Sequence, residues 1–210
     1  MKTLKYIFTL LLIILSGYSF SEISAPSEMQ WGQTQSELKR SGLSIRDCKI
    51  SGDVEYCLAS GHDKPISFAE AYYVYFIPGY GLQKVLVIGK DITGDLYGSE
   101  GKATYNKVKN SLIRKYPEAD GYEHSSFEYT GNKLYKESDE FYQCLKYDGC
   151  GSWQTFISGA NNIDLGYFIV AIKGSSRGTG YINLTYESPN WGKYLDEIKD
   201  KESAKDDEAF

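Results

Sequence analysis

The sequence predicts an α+β fold, in which one main helix packs across a mostly antiparallel, twisted sheet that carries two local disulfides. Three observations lead to this prediction. Two aromatic and β-branched runs, 68–77 and 82–88, flank the breaker Pro78-Gly79-Tyr80-Gly81, as in a long β-hairpin. The segment 103–116 has the apolar spacing of an amphipathic helix. Four cysteines stand in two closely spaced pairs.

The N-terminus indicates export. Lys2 and Lys5 precede an apolar run, 6–15, that is too short to span a bilayer but suits the core of a signal peptide. We expect residues 1–21 to be removed after Ser21, with an uncleaved N-terminal anchor as the alternative. The body, 22–198, is then a single periplasmic or secreted α+β domain, or two similar halves, 22–117 and 118–198. The charged tail, 199–210, is predicted to be disordered.

Charge narrows the class of partner. Residues 22–210 hold 21 basic and 28 acidic residues, a net charge of −7. Nucleic acids and anionic membranes bind through basic patches, so neither is an expected partner. A cationic protein would suit this surface better. We expect no integral membrane segment after cleavage, no metal and no other cofactor.

The cysteines of an exported chain favour disulfides. If Gly52-Asp53 forms a two-residue type II′ turn, Ser51 pairs with Val54, and Cys48 falls opposite Cys57 at a non-hydrogen-bonded position. A second local bridge, Cys144–Cys150, would close the intervening turn. Zinc is the alternative for four cysteines, but neither spacing is the Cys-x-x-Cys of a zinc site.

The remaining elements follow in order. Thr34 and Glu37 form a capping box for a short helix that ends at Gly42. The first run of the hairpin at 68–92 is apolar on both faces, which places this hairpin in the middle of a sheet. The helix 103–116 ends before Pro117. Residues 118–139 are predicted to be a long loop or a weak hairpin.

Strand signals return in the second half of the chain, and a short amphipathic helix follows from Trp191 to Ile198. Alternation of apolar residues with Asn183 and Thr185 is typical of a half-exposed or edge strand. The predicted strands are 140–147, 153–157, 167–173 and 181–186.

Little in the sequence points to catalysis. The two histidines, His62 and His124, both stand in polar contexts, and no serine lies in a Gly-x-Ser-x-Gly elbow. The glycines near Lys102 lack the Gly-Lys-Ser/Thr adjacency of a phosphate-binding loop. A hydrolase with a dispersed site that uses His62 or His124 stays open as an alternative.

Tyrosine is the unusual component, with 17 of the 19 tyrosines outside the predicted signal peptide. Its rigid ring and polar tip suit recognition surfaces, although its high strand propensity offers a plainer explanation. Tyr80 at the tip of the central hairpin is the strongest candidate. The predicted partner-binding residues are Tyr73, Tyr75, Tyr80, Tyr147 and Trp153.

Two segments of the chain resemble a known group of proteins. Trp31-Gly32-Gln33-Thr34-x-x-Glu37-Leu38 and the ending Leu112-Ile113-Arg114-Lys115-Tyr116-Pro117 resemble small exported bacterial proteins that open on Trp/Phe-Gly-x-Ser/Thr-x-x-Glu-Leu/Val. The chain is also similar to the small lipoproteins of outer-membrane assembly, although no Cys follows its apolar run. The resemblance implies a short helix, a twisted antiparallel sheet and a second helix.

These observations favour an exported, non-enzymatic binding protein that acts through protein–protein recognition, as an inhibitor, immunity or accessory factor. The alternatives are a structural or assembly factor of the bacterial envelope and the hydrolase with a dispersed site.

Overall fold

The predicted central hairpin lies within a single antiparallel sheet in the computed structural model, which describes residues 24–117, 119–126, 135–147, 151–159 and 166–209. The predicted signal peptide lies outside the described residues. The strands are β1 (Ser44–Ser51), β2 (Val54–Ser60), β3 (Ala69–Ile77), β4 (Gly81–Gly89), β5 (Ile92–Thr93), β6 (Ala119–Ser126), β7 (Ser152–Gly159), β8 (Tyr167–Ser176) and β9 (Thr179–Glu187). The helices are α1 (Gln35–Arg40), α2 (Ser99–Lys115), α3 (Phe141–Lys146) and α4 (Pro189–Ala209).

The strand order is β1-β2-β3-β4-β9-β8-β7-β6, with the short β5 paired to β9. Each half of this sheet is a four-stranded meander, and the two meanders meet where β4 pairs with β9. Helix α1 precedes the first meander and α2 precedes the second. A division into two similar units would therefore fall before Ser99, not at residue 117. Of the two alternatives for 181–186, the edge strand is wrong, because β9 lies between β4 and β8. The half-exposed alternation agrees with β9, in which Ile182 is buried and its neighbours Tyr181 and Asn183 are half-buried.

The first hairpin forms around the predicted disulfide. Gly52 has φ = 60°, as the first central position of a type II′ turn requires, and Ser51 pairs with Val54. Cys48 is bonded to Cys57 with 4.1 Å between their Cα atoms. The register shifts between Arg46 and Lys49, so a bulge replaces the simple pairing expected opposite Cys57.

The first turns of α1 and α2 are both capped by side chains. The capping box of α1 is present, with hydrogen bonds between Thr34 and Glu37 in both directions. Helix α2 begins four residues before the predicted start at Ala103. Its first turn is held by the Asp95 carboxylate, which accepts hydrogen bonds from the backbone N–H of Ser99 (2.8 Å) and of Gly101 (3.0 Å).

All three of α1, α2 and α3 lie against the same face of the sheet, called the covered face here. Helix α2 packs on β8 and β9, as the predicted main helix should. The buried positions of the strands alternate, so that one side of each strand enters this core. The core includes Leu38 of α1, Tyr105 and Leu112 of α2, and the strand residues Cys57, Tyr72, Val74, Val85, Val87, Ile157, Phe168, Val170, Leu184 and Tyr186.

Two segments differ from the predicted secondary structure. Residues 118–139 contain a strand, β6, at the edge of the sheet, where a loop or weak hairpin was expected. The predicted strand 140–147 is instead helix α3, because Phe141, Cys144 and Leu145 recur at helical spacing and are buried together. Gly174 permits this packing, since a side chain there would overlap the carbonyl of Tyr142.

The predicted second disulfide is also wrong. Cys144 is a free thiol on α3 and is 2% exposed. The prediction assumed a turn that starts at Cys144, but residues up to Lys146 are helical. Cys150 lies outside the described residues. The segment 199–210, predicted to be disordered, continues helix α4 as far as Ala209.

Candidate functional site

The second face of the sheet is the most distinctive surface of the molecule, and it is called the open face here. Alternate residues of six strands point toward it, opposite to those that enter the covered core. None of α1, α2 or α3 lies on this side. Its large side chains are half-buried or exposed, and they are Tyr56, Leu58, Tyr73, Tyr75, Leu86, Ile88, Phe156, Tyr167 and Ile169.

The register aligns part of this face into a continuous row. Leu58 pairs with Tyr73, which pairs with Leu86. Beyond the junction of the two meanders the row continues through the partners Thr185, Ile169 and Phe156. Five strand spacings make this row about 24 Å long. Such a row, called the central row here, is wide enough to contact a folded partner.

A second row is partly covered by α4. Tyr75 of this row stacks on Tyr56 with 5.5 Å between ring centroids, and the ring of Trp191 meets Tyr75 edge-on at 6.1 Å. Trp191 and Tyr194 of α4 form a small cluster with Ile77 at the end nearest the β3–β4 turn. Helix α4 therefore closes one end of the open face and leaves the central row accessible.

The charges under α4 are neutralised locally. The Lys84 ammonium is 2.7 Å from a carboxylate oxygen of Glu187, and it lies 4.7 Å from the ring centroid of Trp191. The Glu187 side chain is 3% exposed, so this ion pair is shielded from solvent on the carboxylate side. The pair and the ring hold the second row in one arrangement.

The hydroxyls of Tyr75 and Tyr167 on this face keep their protons at neutral pH. Burial raises the pKa of Tyr75. Burial also raises the pKa of Tyr167, and the neighbouring Glu187 carboxylate raises it further. Each hydroxyl can therefore donate and accept hydrogen bonds at the edge of an apolar contact, which is how tyrosine acts in recognition surfaces.

The structure does not bring the five predicted partner-binding residues together. Tyr73 and Tyr75 lie on the open face. Tyr80 is at the hairpin tip and is 46% exposed. Tyr147 stacks on Tyr135 after α3, and Trp153 contacts Phe141 on the covered side.

Most of the open face was missed from the sequence, although strand alternation carried the signal. Once Val74 and Val85 are assigned to the core, their neighbours Tyr73 and Leu86 must point the other way. The β8 residues Tyr167 and Ile169 follow from the same rule. What the sequence lacked was the pairing of β4 with β9, which joins the two apolar surfaces into one.

The two histidines lie in different parts of the fold. His62 precedes β3, with its ring centroid 4.0 Å from that of Tyr72. Both of its ring nitrogens are buried without a hydrogen-bond partner among the described residues, and burial lowers its pKa. His124 lies on β6, the edge strand at the other end of the sheet from β2 and β3, and it is in register with Gln154. The sheet order thus separates these two candidates for a catalytic base.

A metal site at the first hairpin is chemically disfavoured. Cys48, Glu55 and Cys57 place potential ligand atoms within 4.8 Å of one another. Both sulfurs are joined in the disulfide, so neither is a thiolate that could bind zinc.

A search of the described helices for a candidate membrane span, which must be both long and apolar, finds none.

Comparison with known proteins adds no relative: the chain matches no protein-family model, no curated protein and no solved structure.

Proposed function

We propose that this is an exported, non-enzymatic binding protein that recognises another protein through the open face, as an inhibitor, immunity or accessory factor. The observation that supports this proposal is the central row, which presents apolar and aromatic side chains from five strands, with the buried Thr185 of β9 between them. No helix of the described residues covers this row. A soluble protein seldom leaves such a surface without a partner.

The rigidity of the face suits this role. Its side chains project from paired strands, and the Lys84–Glu187 ion pair and Trp191 fix one end of it. A partner that docks here would meet a surface that is already ordered, so less conformational entropy is lost on binding. The net charge of −7 for residues 22–210 would attract a basic partner over distance, while the apolar row would supply most of the affinity.

Site-specific photo-crosslinking tests this proposal. A photoreactive phenylalanine analogue would replace Tyr73 in one variant and Ile169 in another, in cells that produce the protein. The matched control carries the analogue at Ile113, which is 43% exposed on the outer side of α2. We expect the same partner to be crosslinked from both positions of the central row and not from position 113.

Two kinds of crosslinking result would contradict this proposal. If positions 73 and 169 give no crosslinked protein, or give the same set as position 113, the open face is not the recognition surface. A crosslinked band that consists of two copies of this chain would replace the proposed partner by self-association.

A further inference from the structure

A separate cleft of about 470 Å³ lies at the tip of the central hairpin, away from the central row. Its walls come from three parts of the chain: the segment 24–32, the hairpin tip at Tyr80, and the start of α4 at Asn190. Gln83, which is 1% exposed, forms part of the floor. Cavities of about 300–1,000 Å³ are typical of small-molecule sites.

Close backbone packing builds the cleft. The N–H of Gly32 donates to the carbonyl of Leu82 (2.9 Å), and the N–H of Leu82 donates to the carbonyl of Gln33 (2.8 Å). A side chain on Gly81, whose φ is 68°, would overlap the backbone of Gly32. Gly32 and Gly81 therefore let the N-terminal segment run directly against the start of β4.

The floor is held by a buried polar network. The Gln83 amide nitrogen donates to the carbonyl of Tyr80 (2.5 Å). The Ser188 hydroxyl donates to the Gln83 side-chain oxygen and also accepts a hydrogen bond from the N–H of Trp191 (3.3 Å). This network joins the hairpin tip to the first turn of α4, so the walls of the cleft are fixed relative to each other.

The described lining of the cleft is polar and uncharged. Among the described residues that surround the cleft there is no Asp, Glu, Lys, Arg or His, although 24% of the whole chain is charged. Two aromatic side chains, Trp31 and Tyr80, are combined with amide side chains, Gln30, Gln83 and Asn190. A phosphate, a carboxylate or a cation would find no opposite charge among these described residues. A purely apolar ligand would bury the side-chain amides of Gln30 and Asn190 without hydrogen bonds to it, at a cost.

We propose that this cleft binds a neutral saccharide. A sugar ring has apolar C–H groups that can pack on the aromatic side chains and hydroxyls that can exchange hydrogen bonds with the amides. An extended peptide fits less well, because the backbone N–H and carbonyl of Leu82, at the start of β4, already pair with Gln33 and Gly32. This inference concerns a different surface and does not depend on the proposed function.

Calorimetric titration of the whole protein with three neutral disaccharides tests this inference. The probes are N,N′-diacetylchitobiose, cellobiose and maltose. We expect at least one of them to give saturable binding with a dissociation constant at or below about 1 mM. The variant Tyr80→Ala should weaken that binding about tenfold, since it removes one aromatic contact. Asn190→Ala should weaken it by removing one amide.

The matched control is Tyr147→Ala, because Tyr147 is 53% exposed and lies outside the cleft. It should bind the disaccharide as the unaltered protein does. Co-sedimentation with insoluble chitin or cellulose then distinguishes a polymer-binding site from a site for free sugar, since only the former would deplete the protein from solution. The inference is overturned if no disaccharide saturates below about 10 mM. It is equally overturned if Tyr80→Ala and Asn190→Ala bind as the unaltered protein, or if an uncharged blocked peptide binds while the sugars do not.

Discussion

The two faces of the sheet are built from neighbouring residues of the same strands, yet they have opposite environments. On β4, Val87 is fully buried in the covered core, whereas the next residue toward the turn, Leu86, is half-buried on the open face. On β8, Phe168 is 0% exposed and Ile169 beside it is half-buried. Hydrophobicity alone does not separate the two sets, because both are apolar.

The difference is the layer of helices. The covered face has α1, α2 and α3 packed on it, whereas among the described residues the open face has only the first half of α4 at one end. Residues of the covered face should therefore determine stability, and residues of the central row should be replaceable without loss of the fold. This contrast predicts how variants on the two faces will behave.

The largest effect is expected for Phe168→Ala. Its ring lies 4.9 Å from that of Tyr116 and 5.1 Å from that of Tyr186, so truncation leaves a cavity in the core. We expect the free energy of unfolding to fall by about 3–5 kcal/mol. The matched control Ile169→Ala, one residue along β8, should cost less than about 2 kcal/mol. Urea denaturation followed by circular dichroism measures both, and equal losses would contradict the distinction between the faces.

The Cys48–Cys57 disulfide should have the next largest effect. Strand β1 contributes only Ile45 to the core, so little apolar burial holds it to the sheet. Closure of this short loop should stabilise the fold by about 2–3 kcal/mol. Reductant should therefore lower the melting temperature of the unaltered protein. The double variant Cys48→Ser/Cys57→Ser should melt at the lower temperature with or without reductant, and a melting temperature insensitive to reductant in the unaltered protein would refute this.

Local patterns predicted most of the strands, the capping box of α1 and the Cys48–Cys57 bridge, because each depends on a few adjacent residues. The buried side of helix α2 was also predicted correctly, from the spacing of Tyr105, Val108 and Leu112. These are short-range properties, and tertiary packing reinforced them.

The errors arose where distant contacts decide the structure. Residues 141–146 have aromatic side chains that suit a strand, but packing on β8 beside Gly174 makes them helical. β9 alternates like an edge strand because its Asn183 and Thr185 face the open side, yet β4 and β8 flank it. The open face itself depends on that junction. No local pattern in the sequence specifies which strands from the two meanders become neighbours.

A smaller effect on stability, on the covered side of the sheet, is expected from His62. Burial lowers the pKa of His62 below its ordinary value of 6.5, so the folded state favours the neutral ring. As the pH falls below that value, the unfolded chain binds a proton before the folded chain does, and stability is lost. We expect His62→Phe, which keeps a ring beside Tyr72, to reduce this loss between about pH 7 and 5.

Urea denaturation at a series of pH values measures this difference. Carboxylates provide a separate reference, because hydrogen bonds to Thr34 lower the pKa of Glu37 from 4.5, and its contribution is lost only in more acidic solution. If His62→Phe shows the same slope between pH 7 and 5 as the unaltered protein, the buried imidazole does not cause the loss.

The smallest effect on stability, and the largest on recognition, is expected for Tyr73→Thr in the middle of the central row. Threonine keeps a high strand propensity, and none of the described helices lies above the position, so the free energy of unfolding should change by about 1 kcal/mol or less. Affinity for the crosslinked partner should fall about thirtyfold or more, as expected when a central aromatic anchor is removed from an interface. Tyr147→Thr, on the helical side of the molecule, should leave that affinity unchanged. A loss of stability as large as that of Phe168→Ala would place Tyr73 in the core, and an unchanged affinity would show that the central row does not contact the partner.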